Sequence, residues 1–267
     1  MSVFLDLYKR LNILSRAGEE LSLYRMCPNR EDCWQNAKDR VPPKDNDWCT
    51  ISYPWVGPRY EELRLVAIGE NLNEYGGLNA LVELIEEAKD LILNGYRRVR
   101  FHAAFDEYPG SFLWHRLGCY AVALGASRGV MTPKWDTDGY PVPKDVSTAF
   151  DWIAFTEHIK CAPQGEKSKP TVAMWERCGT HILREELMLL EPKHILVLGQ
   201  SNNAWFLAEH VFDSKWRDEK KIGAVRMAKG ELGGKSVKIW VVPHPQSFGG
   251  AAKSIFDDLV KASHLST

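Results

Sequence analysis

The six cysteines are the residues of this chain best suited to metal chemistry. Charged residues interrupt the apolar stretch of the N-terminal segment MSVFLDLYKR, so it is not a typical signal peptide and we expect a cytoplasmic protein. Disulfides are rare in that compartment, which leaves metal ligation or plain burial for the thiols. Cys119 lies inside the apolar segment LWHRLGCYAVALG, and for this cysteine we expect burial.

Polar, turn-forming segments follow several apolar runs and are the second place where chemistry is expected. They read GENLNEYGG from Gly69, TEHIKC from Thr156, GQSNN from Gly199 and PHPQSFGGA from Pro243. In open α/β sheets, ligands bind beyond the carboxyl ends of the strands. If the apolar runs are strands, these segments therefore meet at one binding site.

The elements that must position these segments alternate along the chain. Short apolar runs at residues 63–68, 99–105, 152–155, 194–198 and 237–242 are typical of buried strands. Helical spacing is found near the N-terminus and at residues 78–93, 112–124, 174–190, 202–210 and 251–262. This alternation predicts one three-layer α/β/α domain over residues 1–267, with a central, mainly parallel sheet of four to five strands. We expect residues 1–60, with the N-terminal helix and a cysteine-containing loop, to pack on that domain.

Composition restricts the partners. The formal net charge of −1 argues against a protein that coats nucleic acid non-specifically, although a local site could still bind a few phosphates. The longest apolar stretches are far too short to span a bilayer, so no membrane partner is expected. We expect a monomer.

The four polar segments, in this order, resemble the characteristic loops of the uracil-DNA glycosylase superfamily. The stretch EHIKCAPQGEKSKPTVAMWERC, followed by LREELMLLEPKHILVLGQSNNAWFL, is similar to its iron–sulfur (family 4/5-like) branch. There a strand ends in a cysteine, a Pro/Gly loop follows, and a second cysteine belongs to the next helix. The resemblance runs from Cys27 to Ala252, with an apparent insertion at residues 76–109. It implies a DNA glycosylase that flips out a base and hydrolyses its N-glycosidic bond.

The resemblance also implies a metal site. Cys161 and Cys178 match the second pair of cluster ligands, and Cys27 with either Cys33 or Cys49 would supply the first pair. The first pair is normally two residues apart in this family, whereas Cys27 and Cys33 have the spacing C-x5-C. Four thiolates suit a structural [4Fe–4S] cluster, and zinc would use the same ligands. Free buried thiols are the remaining alternative.

Three residues are implied to be catalytic. Glu70 lies where the iron–sulfur branch carries a glutamate, and Asn71 lies where other branches carry the residue that holds the attacking water. His244 matches the histidine that donates a hydrogen bond to O2 of the departing base. The simpler alternative for Glu70 and Asn71 is that they only cap the helix after the strand.

Contacts to DNA are implied at two loops. Phe248 matches the wedge that fills the gap left by the flipped nucleotide, with an ordinary packed aromatic as the alternative. Ser247 and Gly249 lie beside it, where backbone amides could bind a phosphate at the start of the last helix. Gln200 and Ser201 could bind another phosphate in the same way.

The base pocket departs from the family pattern. Glu157 lies four residues before Cys161, where the family has its uracil-reading asparagine. An ionised glutamate only accepts hydrogen bonds, which suits the 4-amino group of cytosine. Asn73 lies where uracil enzymes have a tyrosine that excludes C5 substituents. We therefore expect a uracil-like base or a modified one, such as a C5-substituted cytosine; an alignment shifted by one residue would put His158 or Thr156 in place of Glu157.

The aromatic residue that stacks on the flipped base is implied to be Phe112, with Phe105 and Tyr75 as rivals. Two other functions stay open for the chain. One is a catalytically silent DNA-binding module of the same fold. The other is an enzyme acting on free nucleosides, which the lack of a Gly-rich mononucleotide loop disfavours. As a glycosylase, the protein would serve DNA repair or defence against phage.

Overall fold

The computed structural model describes residues 2–13, 27–34, 52–71, 79–97, 112–160, 170–245 and 252–265. Its strands are Trp55–Val56 (β1), Leu65–Asn71 (β2), Ile153–Ile159 (β3), His194–Leu198 (β4), Arg217–Ile222 (β5), Val225–Leu232 (β6) and Lys235–Val242 (β7). Its α-helices are Ser2–Arg10 (α1), Arg30–Trp34 (α2), Tyr60–Leu63 (α3), Ala80–Leu93 (α4), Leu113–Ser127 (α5), Pro143–Thr148 (α6), Val172–Cys178 (α7), Arg184–Leu190 (α8), Asn202–His210 (α9) and Ala252–His264 (α10).

The strands form one mixed sheet with the order β1-β3-β2-β4-β7-β6-β5. The four central strands β3, β2, β4 and β7 are parallel, whereas β1 at one edge and the β6–β5 hairpin at the other are antiparallel. The predicted fold class is confirmed, but the described part of the sheet has seven strands and not four to five. The apolar run at residues 99–105 lies outside the described residues.

Alternating side chains of the buried strands divide the core into two layers. Leu65 and Ala67 of β2 face the cluster formed with α4, α5 and α10, whereas Val66 and Ile68 face the cluster formed with α1, α8 and α9. A strand that is apolar on both faces needs helices on both faces to cover it. The three-layer architecture follows from this pattern. None of the helices in the described ranges has both the length and the apolar character required to cross a membrane.

A buried polar network joins the N-terminal helix to the sheet. Glu186 of α8 is 0% exposed and accepts hydrogen bonds from the hydroxyl groups of Tyr8 and Thr156. The Lys160 ammonium lies 2.7 Å from Glu186 Oε2 and 2.6 Å from Thr156 Oγ1. Burial, and then the Glu186 carboxylate, raise the pKa of Tyr8 well above its ordinary value. These hydrogen bonds therefore join α1, α8 and the end of β3 around the buried ion pair of Lys160 and Glu186.

We expect Lys160→Met to lower the free energy of unfolding by about 3–5 kcal/mol, because it leaves the Glu186 charge buried without a counter-ion. Chemical denaturation measures this loss. The double variant Lys160→Met/Glu186→Leu should recover most of it, since both charges are then absent. As a matched control, Lys235→Met removes the exposed pair with Glu191 and should cost less than about 1 kcal/mol. If Lys160→Met loses no more stability than Lys235→Met, Lys160 does not compensate the buried charge of Glu186.

Candidate active site

The carboxyl ends of the parallel strands bring the predicted catalytic side chains to one edge of the sheet. Glu70 lies near the end of β2, Glu157 near the end of β3, and His244 two residues after the end of β7. The Cα atoms of Gly69 and Glu157 are partners in the β2–β3 ladder, and Glu70 acts electrostatically on Glu157. The carboxyl ends of the strands therefore carry Glu70, Glu157 and, two strands from Glu70, the imidazole of His244.

Asn203, at the start of α9, ties the strand ends together. Its amide nitrogen donates to the carbonyl oxygens of Ile68 (3.3 Å), Gly69 (3.3 Å) and Leu198 (3.0 Å). Its side-chain oxygen lies 3.0 Å from Nδ1 of His158. The clamp holds β2, β3 and β4 in register at the edge where the site lies. Residue type and position do not indicate this role, because the amide can make these bonds only after three strands have come together.

Glu157 points to the opposite face of the sheet from its two rivals for the base-reading position, Thr156 and His158. Thr156 and His158 are 0% exposed and bond to Glu186 and Asn203, on the α8–α9 side. Burial lowers the pKa of His158 to about 4. To place either rival where Glu157 lies, β3 would have to shift by one residue, which would move all its side chains to the opposite face of the sheet.

The ionised carboxylate expected for Glu157 is not the form that its surroundings favour. Its side chain is buried, and burial raises its pKa to about 8; Lys160 opposes this effect and Glu70 adds to it. Oε2 is buried and has no hydrogen-bond partner within the described ranges. At neutral pH the group is therefore mainly a neutral carboxylic acid and not an ionised acceptor.

Glu70 and Asn71 do not act as helix caps. Both belong to β2, and the described helix that follows, α4, begins at Ala80 with Asn79 at its N-cap position. Glu70 is partly exposed at the sheet edge. The backbone of Asn71 is the last position of β2, while its side chain and the whole of Asn73 lie outside the described part of the structure.

His244 is held by a contact that sequence reasoning missed. The residue is half-buried, and burial lowers its pKa, which favours the neutral imidazole. The guanidinium of Arg116, a buried residue of α5, donates a hydrogen bond to the carbonyl of Pro245. The same guanidinium lies 4.8 Å from the centroid of the Phe112 ring. Arg116 therefore links the His-Pro loop to the aromatic residue expected to stack on the base.

Cysteine side chains converge on the other side of the sheet from the Glu157 pocket. Helix α2 packs on α7, where the Thr171 hydroxyl donates to the Cys33 carbonyl (2.9 Å) and Cys33 Sγ lies 3.8 Å from the Ala173 carbonyl. The pKa of Cys27 is raised to about 11 and that of Cys33 to about 12. Burial is the main cause in both, and the Cys178 thiol contributes to both. Cys27, Cys33 and Cys178 therefore lie close enough to interact.

These thiols fit part of a metal site. Cys161 directly follows Lys160 at the end of β3 but, like Cys49, lies outside the described residues. Among the residues that are described, no group of three or more His, Cys, Asp or Glu side chains has the arrangement of a metal centre. Cys119 is buried as expected, with its sulfur 3.7 Å from Nδ1 of His115. Of the cysteines in the implied ligand set, Cys27, Cys33 and Cys178 are in the described part of the chain.

The family model described as "Uracil DNA glycosylase superfamily" matches residues 94–262. The chain belongs to the uracil-DNA glycosylase superfamily. The matched range includes β3, β4 and β7 with Glu157 and His244, whereas Glu70 precedes it. No curated protein matches the chain. Members of the superfamily are DNA glycosylases that act in base excision, so membership supports DNA as the partner and glycosidic-bond hydrolysis as the reaction.

The DNA-contacting residues implied for this superfamily member are described only in part. Gln200 and Ser201 are exposed at the start of α9, as a phosphate contact requires, but the Gln200 amide donates to the Ala224 carbonyl. Phe112 is half-buried directly before α5. The remaining residues of this group lie outside the described ranges: Ser247, Phe248 and Gly249, and the stacking rivals Tyr75 and Phe105.

Proposed function

We propose that this superfamily member is a monofunctional DNA glycosylase that removes a modified pyrimidine, with C5-substituted cytosine as the leading candidate. The observation that supports the proposal is that Glu70, Glu157 and His244 lie at or just beyond the carboxyl ends of the parallel strands β2, β3 and β7. Asn73 in place of a blocking tyrosine favours a base that carries a C5 substituent over plain uracil. Because such bases occur in phage DNA, we propose a role in defence in preference to repair.

The reaction joins water to C1′ of the sugar and breaks the bond between C1′ and the base nitrogen. The bonding electron pair leaves with the base, so negative charge gathers on its O2 while positive charge builds on the sugar. Glu70 and Asn71 orient the water, and the proton that the water loses passes to solvent. The departing anion takes up one proton from solvent, which balances the hydrolysis.

His244 acts on the leaving base. The neutral imidazole donates a hydrogen bond to O2, and this bond strengthens as charge develops there. Glu70 stabilises the cationic sugar on the opposite side of the bond that breaks. Phe112 stacks on the flipped base, and Phe248 fills the gap that the base leaves in the duplex. Ser201, with Gln200, and the loop of Ser247 and Gly249 contact the backbone phosphates.

Cys27, Cys33, Cys161 and Cys178 would hold a [4Fe–4S] cluster, with zinc as the alternative metal. When bound, the cluster supplies a structural crosslink between α2, the end of β3 and α7; glycosidic hydrolysis requires no electron transfer. Free thiols as basic as Cys27 and Cys33 are protonated at neutral pH, so ligation would release protons.

The proposed activity is tested with matched oligonucleotides that carry uracil, cytosine or a C5-substituted cytosine. The anaerobically purified protein is incubated with each one, and abasic sites are then cleaved with alkali. Scission at the modified cytosine supports the proposal. Scission only at uracil would show that the enzyme removes uracil and not a modified cytosine. No scission with retained DNA binding would indicate a silent binding module, and release of bases from free nucleosides alone would indicate a nucleoside enzyme.

Arg116 is expected to contribute through the loop that it holds. Arg116→Met should lower kcat about tenfold with little change in KM, because it removes one charged hydrogen bond to the His244-Pro245 loop. Arg116→Lys keeps a donor and should recover part of the rate. Arg10→Met, which removes an exposed ion pair with Glu185, is the matched control and should leave kcat unchanged. If KM rises and kcat is unchanged, Arg116 does not position the histidine.

A further inference from the structure

The carboxyl group of Glu157 occupies a position that a glycine makes available. Gly69 is the cross-strand partner of Glu157, and a Cβ atom at Gly69 would lie 2.2 Å from Glu157 Oε2. Because that contact is impossible for any other residue, the carboxyl group can lie across β2 only when residue 69 is glycine. The side chain is therefore held against β2 over Gly69 and is 4% exposed.

No cation is paired with this carboxyl group within the described residues. The ammonium of Lys160, the nearest cation that acts on it, donates instead to Glu186 and Thr156 on the other face of the sheet. The other charged group that acts on it, Glu70, is itself acidic. A buried carboxylate with an unbonded oxygen is costly, and the usual response is to take up a proton.

We propose that Glu157 reads the base as a neutral carboxylic acid, in which the hydroxyl donates one hydrogen bond and the carbonyl accepts another. This inference rests on the proposed glycosylase function. On the Watson–Crick edge of cytosine, the hydroxyl donates to N3 and the carbonyl accepts from the 4-amino group. An ionised carboxylate would satisfy only the amino group and would face the N3 lone pair with another acceptor. The neutral acid therefore explains how a glutamate can replace an amide here.

Burial raises the pKa of Glu157 to about 8, in agreement with a neutral carboxylic acid. This pKa predicts how activity should change with pH. The neutral form dominates below that value and is lost above it, so kcat/KM of the wild type should fall roughly tenfold between pH 7 and pH 9. Glutamine has the same donor and acceptor in a form that does not titrate. The two side chains are otherwise of nearly equal size.

The test compares Glu157→Gln, Glu157→Ala and the wild type on the best oligonucleotide from pH 6 to pH 9. We expect Glu157→Gln to keep activity within about threefold at pH 7 and to lose the fall above pH 8, and Glu157→Ala to lose about 100-fold or more. The matched control Glu231→Gln, at an exposed position of β6, should behave as the wild type. A Glu157→Gln variant as inactive as Glu157→Ala would overturn the proposal.

A second measurement does not depend on turnover. Infrared difference spectra between the wild type and Glu157→Gln should show the carbonyl band of a protonated carboxyl group at pH 7, and this band should vanish at pH 9. A carboxylate band already present at pH 7 would overturn the neutral-acid reading. If the wild type cleaves none of the oligonucleotides, the glycosylase function fails, whereas the infrared result still decides the state of Glu157.

Discussion

His244→Ala is expected to lower the single-turnover rate of base excision about 100- to 1,000-fold, the usual cost of removing one donor to a developing anion. The imidazole follows β7 at the carboxyl edge of the sheet, and burial favours its neutral form. Its hydrogen bond to the base oxygen grows only as the glycosidic bond breaks. The loss should therefore appear in the chemical step, with DNA affinity nearly unchanged.

The control for this variant is His264→Ala, at an exposed position at the end of α10. It should excise at the wild-type rate. Single-turnover rates at saturating enzyme separate chemistry from binding, and a titration with labelled DNA measures affinity. If His244→Ala loses less than about threefold in rate, or loses affinity and rate together, His244 does not stabilise the leaving base.

Cys178→Ser is expected to abolish cluster loading. We expect anaerobically purified wild type to contain about four iron atoms per chain and the variant to contain close to none. Cys178 lies in α7 and interacts with Cys27 and Cys33, so its loss leaves an incomplete ligand set. The contact between α2 and α7 should weaken with it, and the variant should unfold at a lower temperature.

Cys119→Ser is the matched control, because this cysteine is equally buried but lies in α5 beside His115. It should keep its iron, its sulfide and its brown colour. Cys33→Ser should behave as Cys178→Ser, whereas Cys49→Ser should keep the metal if Cys33 completes the set. Equal metal content in Cys178→Ser and Cys119→Ser would exclude the cysteine site, and stoichiometric zinc in place of iron would change only the metal.

The parallel part of the sheet could be predicted from sequence because each central strand is a short, continuous apolar run. The runs before Gly69, Thr156 and Pro243 correspond to β2, β3 and β7, but β2 and β3 extend beyond the predicted runs, so Glu70 and Glu157 are strand residues and not loop residues. The β5–β6 hairpin was missed. Its first strand, RDEKKI, is mostly charged and lies at the edge of the sheet, so it lacks the continuous apolar run on which the strand prediction depends.

Other features of the site depend on tertiary contacts that no local pattern shows. Arg116 is a charged residue in an apolar helix, and its role becomes visible only when the Pro245 carbonyl meets it. Asn203 follows a strand by a few residues, as many capping residues do, yet it bonds to the ends of three strands. The neutral state of Glu157 follows from burial against Gly69, which residue type alone does not indicate.

The central claim is hydrolysis of the bond between base and sugar, and mass spectrometry of the products in isotope-labelled water tests it most directly. The best oligonucleotide is incubated with the wild type, and both the DNA and the small-molecule fraction are weighed. We expect an intact free base without label. We also expect a continuous DNA strand with one abasic sugar that carries the labelled oxygen. A base that stays attached to DNA, or that leaves with its sugar, would contradict the account.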